Sequence, residues 1–427
     1  MDKVKQSTKN VTAYGGLNFI YDAISRSGIS VWLDQQIGCR SALAQYSYSD
    51  IVLSLFGNTL VQGSFVADLQ ILKARYADQV FHMIPSPDTV EYACQELKQA
   101  TIVKTAPSGV VHELNYSDRF NDTLVALAVK TKLLKPDTMG YTMDFDNVVI
   151  ENQKQDAKIS YKKVKGYHPN IAFIERIPVH IENHNGNTSA KYEQAETLER
   201  CFDNLDKHHI KIEHFRADSA SYQKKVFDLV AKRTKYFYIR MMDFEDIRVQ
   251  CGKITDWEKV KINHQDKEVA SIDYSPAKSE KPYRIVVTRQ KRKDQQIDLL
   301  SGSAYTYQGI VTNNYEKSEQ EVIEFYNGRG DSEKSNCYLL NDFNLHHLPF
   351  PDMDTNTVYI YLMAMCATLF EWTKTILVDN KVKGINIVMR TKAICFHYIT
   401  VAATFINHAR QKIITVFSEQ PYAILRI

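Results

Sequence analysis

Apolar residues recur at helical spacing early in the chain and at every second position later. In residues 50–76 the apolar positions follow a helical period, and Ser49 or Asp50 can cap the helix. From about residue 138 the period changes to two, which predicts a strand in GYTMDFDNVVIE. Asp144 and Asp146 share one face of this strand, where acidic residues are disfavoured and need a reason.

Further apolar runs predict a mixed α/β sheet with helices on its faces. The predicted elements are strands within 170–182, a turn at 185–186, a helix at about 189–207, a strand ending at 218, a helix over 221–233 and a strand over 236–242. Tyr161 and Tyr167 are interpreted as sheet residues. In sheets of this kind functional groups collect at the strand ends, which draws attention to Asp146 and Asp218.

Two later changes of pattern suggest further regions. Residues beyond 242 are rich in lysine and alternate in short β-like pieces, beginning with DIRVQCG, and helices are predicted from 318 to the end. The predicted regions are a helical N-terminal domain that is a candidate for DNA binding (1–135), the first part of an α/β domain (136–242), a β-rich insertion (243–315), the two helices that complete the α/β domain (316–375) and a helical C-terminal region (376–427).

The segment EFYNGRGDSEKSNCYLLNDF, residues 324–343, is predicted to be a helix with a polar face. Spacings of three and four place Tyr326, Arg329 and Glu333 on that face. Ser318 and Glu321 form a capping box ahead of it. Two glycines inside the segment cost about 1 kcal/mol each relative to alanine. Tertiary packing, or the close approach of another group, is therefore expected to hold this helix.

Composition and charge exclude several classes of protein. The 427 residues are 44% hydrophobic and 24% charged with a net charge of +3, which is typical of a globular protein of two or three domains. Seven scattered cysteines without a CxxC pair predict neither a disulfide framework nor a zinc site. No signal peptide is evident, which predicts a cytoplasmic protein. The longest apolar run, near 358–369, is shorter than the roughly 20 residues that span a bilayer, so no membrane partner is expected.

Three carboxylates are candidates for a shared site, namely Asp146, Asp218 and Glu333. If they converge, they repel one another unless hard cations lie among them, and two Mg²⁺ ions are the expected occupants. Two such ions suit phosphodiester chemistry. Each residue also has a simpler interpretation. Asp146 can accept bonds from backbone amides, Asp218 can cap the following helix, and Glu333 can pair with Arg329.

The blocks MDFDNVV, FRADSASY and FYNGRGDSEK, in this order, resemble those of the DDE transposases of bacterial insertion sequences. The match is to the cut-and-paste group whose third block has the pattern Tyr-x2-Arg-x3-Glu-x6-Lys. The segments GYHPNIAFI, HNGNTSA, IVTNN and NDFNLHHLPF are also similar to that group. The resemblance runs from about 80 to 375 and implies a ribonuclease H-like fold.

By position, the resemblance implies that Asp146, Asp218 and Glu333 are the catalytic residues and the metal ligands. It favours Asp146 over Asp144, which stays an alternative ligand. Tyr326 and Arg329 match the positions that grip DNA phosphates, a task that suits the planar fork of arginine. The implied cofactors are two Mg²⁺ ions, for which Mn²⁺ is a substitute.

Two positions depart from the family pattern. Leu340 stands where the family has lysine, so one phosphate contact is expected to be lost or supplied elsewhere. Val148 stands where threonine is usual. Because all three acidic positions are kept, these departures do not by themselves predict an inactive enzyme.

Basic and aromatic residues are interleaved across the insertion, as DNA contact requires. Relatives with such an insertion use a tryptophan to hold a flipped base, and the insertion has one tryptophan. A tryptophan in a β-rich unit is also a common core residue, and the basic run at 289–293 is also typical of a solvated loop. The candidate DNA-binding residues here are Trp257, Arg289, Lys291, Arg292 and Lys293.

The principal hypothesis is therefore a transposase that acts on terminal inverted repeats and target DNA. The resemblance implies a homodimer on DNA, in a bacterial cytoplasm and associated with the nucleoid. A second hypothesis is a defective or domesticated DNA-binding derivative of the same fold, for which Leu340 is the sequence support. A third is a related nuclease that cuts without strand transfer. A hairpin intermediate is implied by resemblance alone.

Overall fold

A computed structural model describes most of the chain. The described residues are residue 4 and residues 11–76, 82–275, 281–291, 304–408, 411–418 and 425–426, with the backbone alone for 331–335, 407–408 and 411–412. Among these residues, no helix combines the length and the hydrophobicity that crossing a membrane requires.

Helices and strands alternate along the described chain. The helices are α1 Gly15–Ser27, α2 Ile29–Ile37, α3 Tyr48–Leu60, α4 Leu69–Tyr76, α5 Pro87–Leu97, α6 Asp118–Lys130, α7 Gln194–Lys207, α8 Lys224–Arg233, α9 Glu245–Gly252, α10 Glu319–Asn327, α11 Gly330–Asp342, α12 Met353–Asp379 and α13 Thr391–Ile394. The strands are β1 Val11–Thr12, β2 Ile102–Thr105, β3 Val111–Asn115, β4 Tyr141–Asn147, β5 Ile150–Glu151, β6 Lys158–Ile159, β7 Lys165–Tyr167, β8 Asn170–Ile174, β9 Ile177–His184, β10 Ile212–Ala217, β11 Tyr236–Arg240, β12 Glu258–Ile262, β13 Gln265–Tyr274, β14 Tyr283–Lys291, β15 Tyr305–Thr312, β16 Ala403–His408 and β17 Gln411–Val416.

One large sheet organises the molecule. Its order is β12-β13-β14-β15-β11-β10-β4-β8-β9-β3-β2. β10 is parallel to both β4 and β11, whereas β8 and β9 are antiparallel on the other side of β4. Two antiparallel strands beside three parallel ones is the ribonuclease H-like arrangement. The predicted mixed α/β fold is therefore confirmed.

The two faces of the central strand β4 lie against different parts of the protein. Met143 and Phe145 are buried in a core that also contains residues of α7 and α8. Asp144 and Asp146 alternate with them and therefore face the other side of the sheet. On that other side, Phe173 of β8 belongs to the core built around the long helix α12. The alternation of apolar and acidic residues along β4 thus reflects the different surroundings of the two faces of this strand.

The predicted β-rich insertion extends this sheet. β15 pairs with β11, and β14, β13 and β12 follow outward. The prediction that DIRVQCG is β-like is wrong, because this segment lies in helix α9. Glu245 and Asp246 favour the positive N-terminal end of that helix, and Ile247 and Cys251 bury one face at helical spacing.

Strands also occur in both terminal regions that were predicted to be helical. β2 and β3 join the large sheet through β9. The prediction of helix over 403–416 is wrong, because β16 and β17 form a small sheet with β1. The sequences ATFINH and QKIITV are rich in β-branched residues, which favour strands.

Candidate functional site

Asp146 and Asp218 lie at the carboxyl ends of two neighbouring parallel strands. Ala217 of β10 is opposite Phe145 of β4, so the two aspartates follow at the same level of the sheet. Asp218 Oδ1 accepts a hydrogen bond from the amide of Ala220 at 2.9 Å, which caps a short helical turn. The prediction that Asp218 caps the following helix is wrong, because it caps this short turn and helix α8 begins only later, at Lys224, after Gln223.

Two side chains from the region after β15 contact Asp146. The guanidinium of Arg329 lies 3.0 Å from Asp146 Oδ1, and the two side chains are 8% and 12% exposed. Asn336 of α11 donates a hydrogen bond from Nδ2 to Asp146 Oδ2 at 3.0 Å. Sequence reasoning missed Asn336, although it lies three residues after Glu333 and hence on the same face of the helix.

Tyr326 lies in the last turn of α10 and contacts the end of β10. Its hydroxyl donates to the carbonyl of Ala217 at 3.2 Å. Burial raises the pKa of Tyr326 to about 12, and the charges of Arg329 and Arg240 oppose this shift. The hydroxyl is therefore protonated at neutral pH.

The single helix predicted across 324–343 is wrong. α10 ends at Asn327 and α11 begins at Gly330, with Gly328 and Arg329 between them. Glu333 lies in the first turn of α11, one helical turn before Asn336. Its side chain lies outside the described residues, so its role as a ligand stays a prediction.

Arg216 explains both the buried Asp144 and the break between the two helices. Its Nε and Nη2 each lie 2.7 Å from an oxygen of Asp144, which is 3% exposed. Its Nη1 donates to the carbonyl of Phe325, in the last turn of α10, at 2.8 Å. Arg216 thus joins β4, β10 and α10, and Asp144 has a structural partner. Sequence reasoning missed this arginine, although it lies within the second block, two residues before Asp218.

Gly328→Ala is expected to destabilise the protein. A Cβ at Gly328 would lie 2.7 Å from Nη1 of Arg216, which cannot move without losing Asp144 and Phe325. Overpacking of this kind costs about 1–3 kcal/mol, against the roughly 1 kcal/mol that alanine contributes in a helix. The measurement is the free energy of unfolding from denaturant titration. Gly330→Ala is the matched control, since its Cβ would meet nothing within 4 Å. Equal stability of the two variants would contradict the close approach.

Leu340 is a core residue. It is 7% exposed and packs in the cluster that includes Leu339 and Phe343. A lysine at this position would therefore be buried rather than directed at DNA. The departure from the family pattern is consistent with how α11 packs here.

The register of the sheet places the insertion beside the same edge as the aspartates. Ala217 is opposite Ile239, Ile239 is opposite Val311, and Val311 is opposite Ile285. β14 runs in the same direction as β10, because β15 between β11 and β14 is antiparallel to both. Arg289, four residues beyond Ile285, therefore lies past the carboxyl edge on which Asp218 sits.

Two of the candidate DNA-binding residues of the insertion, Trp257 and Arg289, stack together with Tyr305. The guanidinium of Arg289 lies 4.4 Å from the ring centre of Trp257 and 4.5 Å from that of Tyr305, and it pairs with Glu268 at 2.7 Å. The indole of Trp257 donates to the carbonyl of Ile254. Lys291 is exposed. Arg292 and Lys293 lie outside the described residues.

The carboxylates fit a hard divalent cation. Asp146 and Asp218 present carboxylate oxygens at one edge of the sheet, and carboxylate oxygens are the donors that Mg²⁺ prefers. Within the part of the chain that the structure describes, no group of three His, Cys, Asp or Glu side chains forms a metal site. The third predicted ligand, Glu333, belongs to the backbone-only segment.

Histidines near the site have a structural role under α7. Glu182, fully buried, lies 3.2 Å from Nε2 of His180 and 3.7 Å from Nε2 of His184, and Arg200 pairs with it at 2.7 Å. Although burial alone raises the pKa of Glu182, the bonds from these three partners hold it well below its usual range. This cluster is therefore a charged, hydrogen-bonded part of the core.

Fold and site together define a ribonuclease H-like protein with acidic residues at the ends of adjacent parallel strands, which is the DDE class of enzymes. The sequence matches the family model described as transposase DDE domain group 1 over residues 3–425. The chain therefore belongs to this family of DDE transposases, and the resemblance to DDE transposases is confirmed.

The comparison with solved structures gives a distant similarity. The cryo-EM structure of a piggyBac transposase synaptic complex with hairpin DNA is 10% identical in sequence, with a TM-score of 0.42. The alignment covers 92% of this chain and 83% of that chain. No curated protein sequence matches the chain.

Proposed function

We propose that this protein is the transposase of a bacterial insertion sequence, which cleaves the ends of its element and joins them to target DNA. The observation that carries the proposal is the placement of Asp146 and Asp218 at one level of two parallel strands. α11 approaches the same point, because its Asn336 donates to Asp146. Membership of the DDE family supports this chemistry.

The proposed metal ligands are Asp146, Asp218 and Glu333. When bound, two Mg²⁺ ions activate a water or a 3′ hydroxyl and stabilise the leaving oxygen, and Mn²⁺ is the proposed substitute. The hydrogen bond that the amide of Ala220 donates to Oδ1 fixes the orientation of Asp218. Asn336 does the same for Asp146 through its amide.

Tyr326 and Arg329 are the proposed phosphate contacts of the site. Arg329 lies within 3.0 Å of Asp146, so a phosphate that it binds is held beside the reacting groups. The buried hydroxyl of Tyr326 holds α10 against the end of β10 through Ala217. To contact a phosphate, the Tyr326 hydroxyl must exchange its hydrogen bond to the carbonyl of Ala217 for one to a phosphate oxygen.

Double-stranded DNA is the proposed partner, as terminal inverted repeats and as target. The stacked Trp257 and Arg289 are proposed to contact it, together with Lys291, Arg292 and Lys293. Because two ends must be joined, a homodimer on DNA is expected, in association with the bacterial nucleoid. The regions 1–135, 136–242, 243–315, 316–375 and 376–427 are retained as the proposed domain division.

Metal removal and strand-transfer assays test the proposed function. The full-length protein is incubated with DNA that carries the sequences flanking its gene, in Mg²⁺, in Mn²⁺ and in EDTA. We expect nicking at the element end and joining of the 3′ end to a second DNA in either metal, and no reaction in EDTA. Binding without cleavage in both metals would favour a defective or domesticated derivative. Cleavage without joining would favour a nuclease.

A further inference from the structure

A small β-hairpin beside the candidate site presents exposed basic and aromatic side chains. β6 and β7 are joined by residues 160–164, called here the basic turn. Lys162 and Lys163 are exposed, and Tyr161 is 68% exposed. The prediction that Tyr161 is a sheet residue is therefore wrong, because it lies in the turn between the strands. Large exposed aromatic residues next to lysines are typical of surfaces that bind nucleic acid.

The basic turn lies at the edge of the sheet where β4 ends. The chain passes from β7 through His168 into β8, whose first residue, Asn170, is opposite Asn147. The amide of Val148 donates to the carbonyl of Pro169 at 3.1 Å, so the segment runs directly beside the residues that follow Asp146.

His168 packs against the basic turn. Its ring is 1% exposed and is tilted against that of Tyr161, with 5.5 Å between the ring centres. Nδ1 of His168 lies 3.0 Å from the carbonyl oxygen of Thr188, which fixes the ring in place. Nζ of Lys162 lies 5.8 Å from the centre of the Tyr161 ring. The Tyr161 side chain therefore has a buried neighbour on one side and a lysine next to it, and most of its surface is exposed to solvent.

Close packing fixes the hairpin to the domain. A Cβ on Gly166 would lie 2.3 Å from the carbonyl oxygen of Ile150, and one on Gly186 would lie 2.2 Å from that of Lys158. The side chain of Asn185 accepts a hydrogen bond from the amide of Lys158 at 2.8 Å. A surface fixed in this way loses little conformational entropy on binding.

Hydrogen bonds within the basic turn hold its shape. The amide of Ser160 donates to the carbonyl of Val164 at 2.8 Å, and that of Lys163 donates to the carbonyl of Ser160 at 2.9 Å. The side chains of Tyr161 and Lys162 therefore project from a defined backbone.

We infer that the basic turn binds the DNA strand that enters the candidate site, with Lys162 and Lys163 at phosphates and Tyr161 stacked on an unpaired base. This inference rests on the proposed function for its ligand. Phosphate neutralisation supplies affinity that depends on salt, and an exposed ring stacks on any base. Because the chain runs from the basic turn through β7 to the end of β4, these contacts are expected at nucleotides close to the scissile phosphate.

The test measures DNA binding by full-length protein made inactive with Asp218→Asn. The probe is a labelled duplex that carries the gene-flanking sequence and ends in a short single-stranded overhang, titrated over a range of salt concentrations. For Lys162→Gln with Lys163→Gln, the slope of log affinity against log salt is expected to fall by about 1–2. Tyr161→Ala is expected to weaken binding roughly 5- to 100-fold, whereas Tyr161→Phe keeps it.

The matched control is Lys211→Gln with Lys232→Gln, since both lysines are exposed and lie at the opposite edge of the sheet. This control is expected to bind like the parent protein. An unchanged salt slope and unchanged affinity in the turn variants would overturn the inference, even if the wild type cleaves DNA. Weakened binding in these variants would support it even if the wild type does not cleave. Thermal melting establishes that each variant is folded.

Discussion

Asp146→Asn is expected to lower the rate of DNA cleavage by roughly 10³-fold, because metal ions contribute several kcal/mol and each 1.36 kcal/mol is tenfold in rate. Asparagine keeps the size of the side chain and an oxygen that can accept from Asn336, but it removes the charge that a divalent cation needs. Asp218→Asn is expected to have an effect of similar size. The measurement is single-turnover cleavage of the terminal DNA in saturating Mg²⁺.

Glu151→Gln is the control for this loss of activity. Glu151 is an exposed acid on β5, shortly after Asp146 in the chain, and its replacement is expected to leave cleavage unchanged. The Asp146 variant should still bind DNA and stay folded, although it is expected to melt below the wild-type temperature because its pair with Arg329 is lost. Cleavage by that variant within a few-fold of wild type would remove Asp146 from the proposed site.

Arg216→Met is expected to lower the free energy of unfolding by about 3–5 kcal/mol, because breaking a buried ion pair from one side leaves a charge in the core. Here that charge belongs to Asp144, whose two oxygens each lie 2.7 Å from the guanidinium. The contact with the carbonyl of Phe325 is lost at the same time. Denaturant titration measures the change.

A second substitution separates the cost of an unpaired buried charge from the cost of a changed side-chain shape. Adding Asp144→Leu to Arg216→Met is expected to recover most of the lost stability, since apolar replacement of a buried ion pair is often neutral. Arg233→Met is the surface comparison. Arg233 pairs with Asp203 and Asp206, whose side chains are exposed. Such pairs contribute about 0–1 kcal/mol to the free energy of unfolding. Equal losses at Arg216 and Arg233 would contradict the role assigned to Arg216.

Features that depend on local pattern were predictable from the sequence. The alternation of apolar and polar residues predicted strand β4, and the predicted strand ends drew attention to Asp146 and Asp218. Both signals are local properties of the sequence. Their placement beside each other follows from the parallel pairing of β4 and β10. The sequence predicted this pairing only because the order of the three motifs resembles that of a family with a known fold.

Features that depend on distant contacts were not predictable. The break between α10 and α11 arises where Arg216, more than a hundred residues earlier in the chain, approaches Gly328. The helical period across this segment is unbroken, so the sequence pattern alone predicts one helix. Likewise, alternation in the insertion predicted strands but not their partner β11, which is chosen by long-range pairing.

For the proposed DNA contact at the insertion, the pairing of β15 with β11 sets a fixed distance from Asp218. Three strand spacings separate β10 from β14, and Arg289 lies three residue rises beyond the level of Asp218. These offsets correspond to roughly 15–20 Å between the two backbone positions. At about 3.4 Å per base pair, that distance equals roughly five base pairs of duplex. Strand pairing, rather than a hinge, would then determine how many base pairs separate a base held at Trp257 from the cleaved bond.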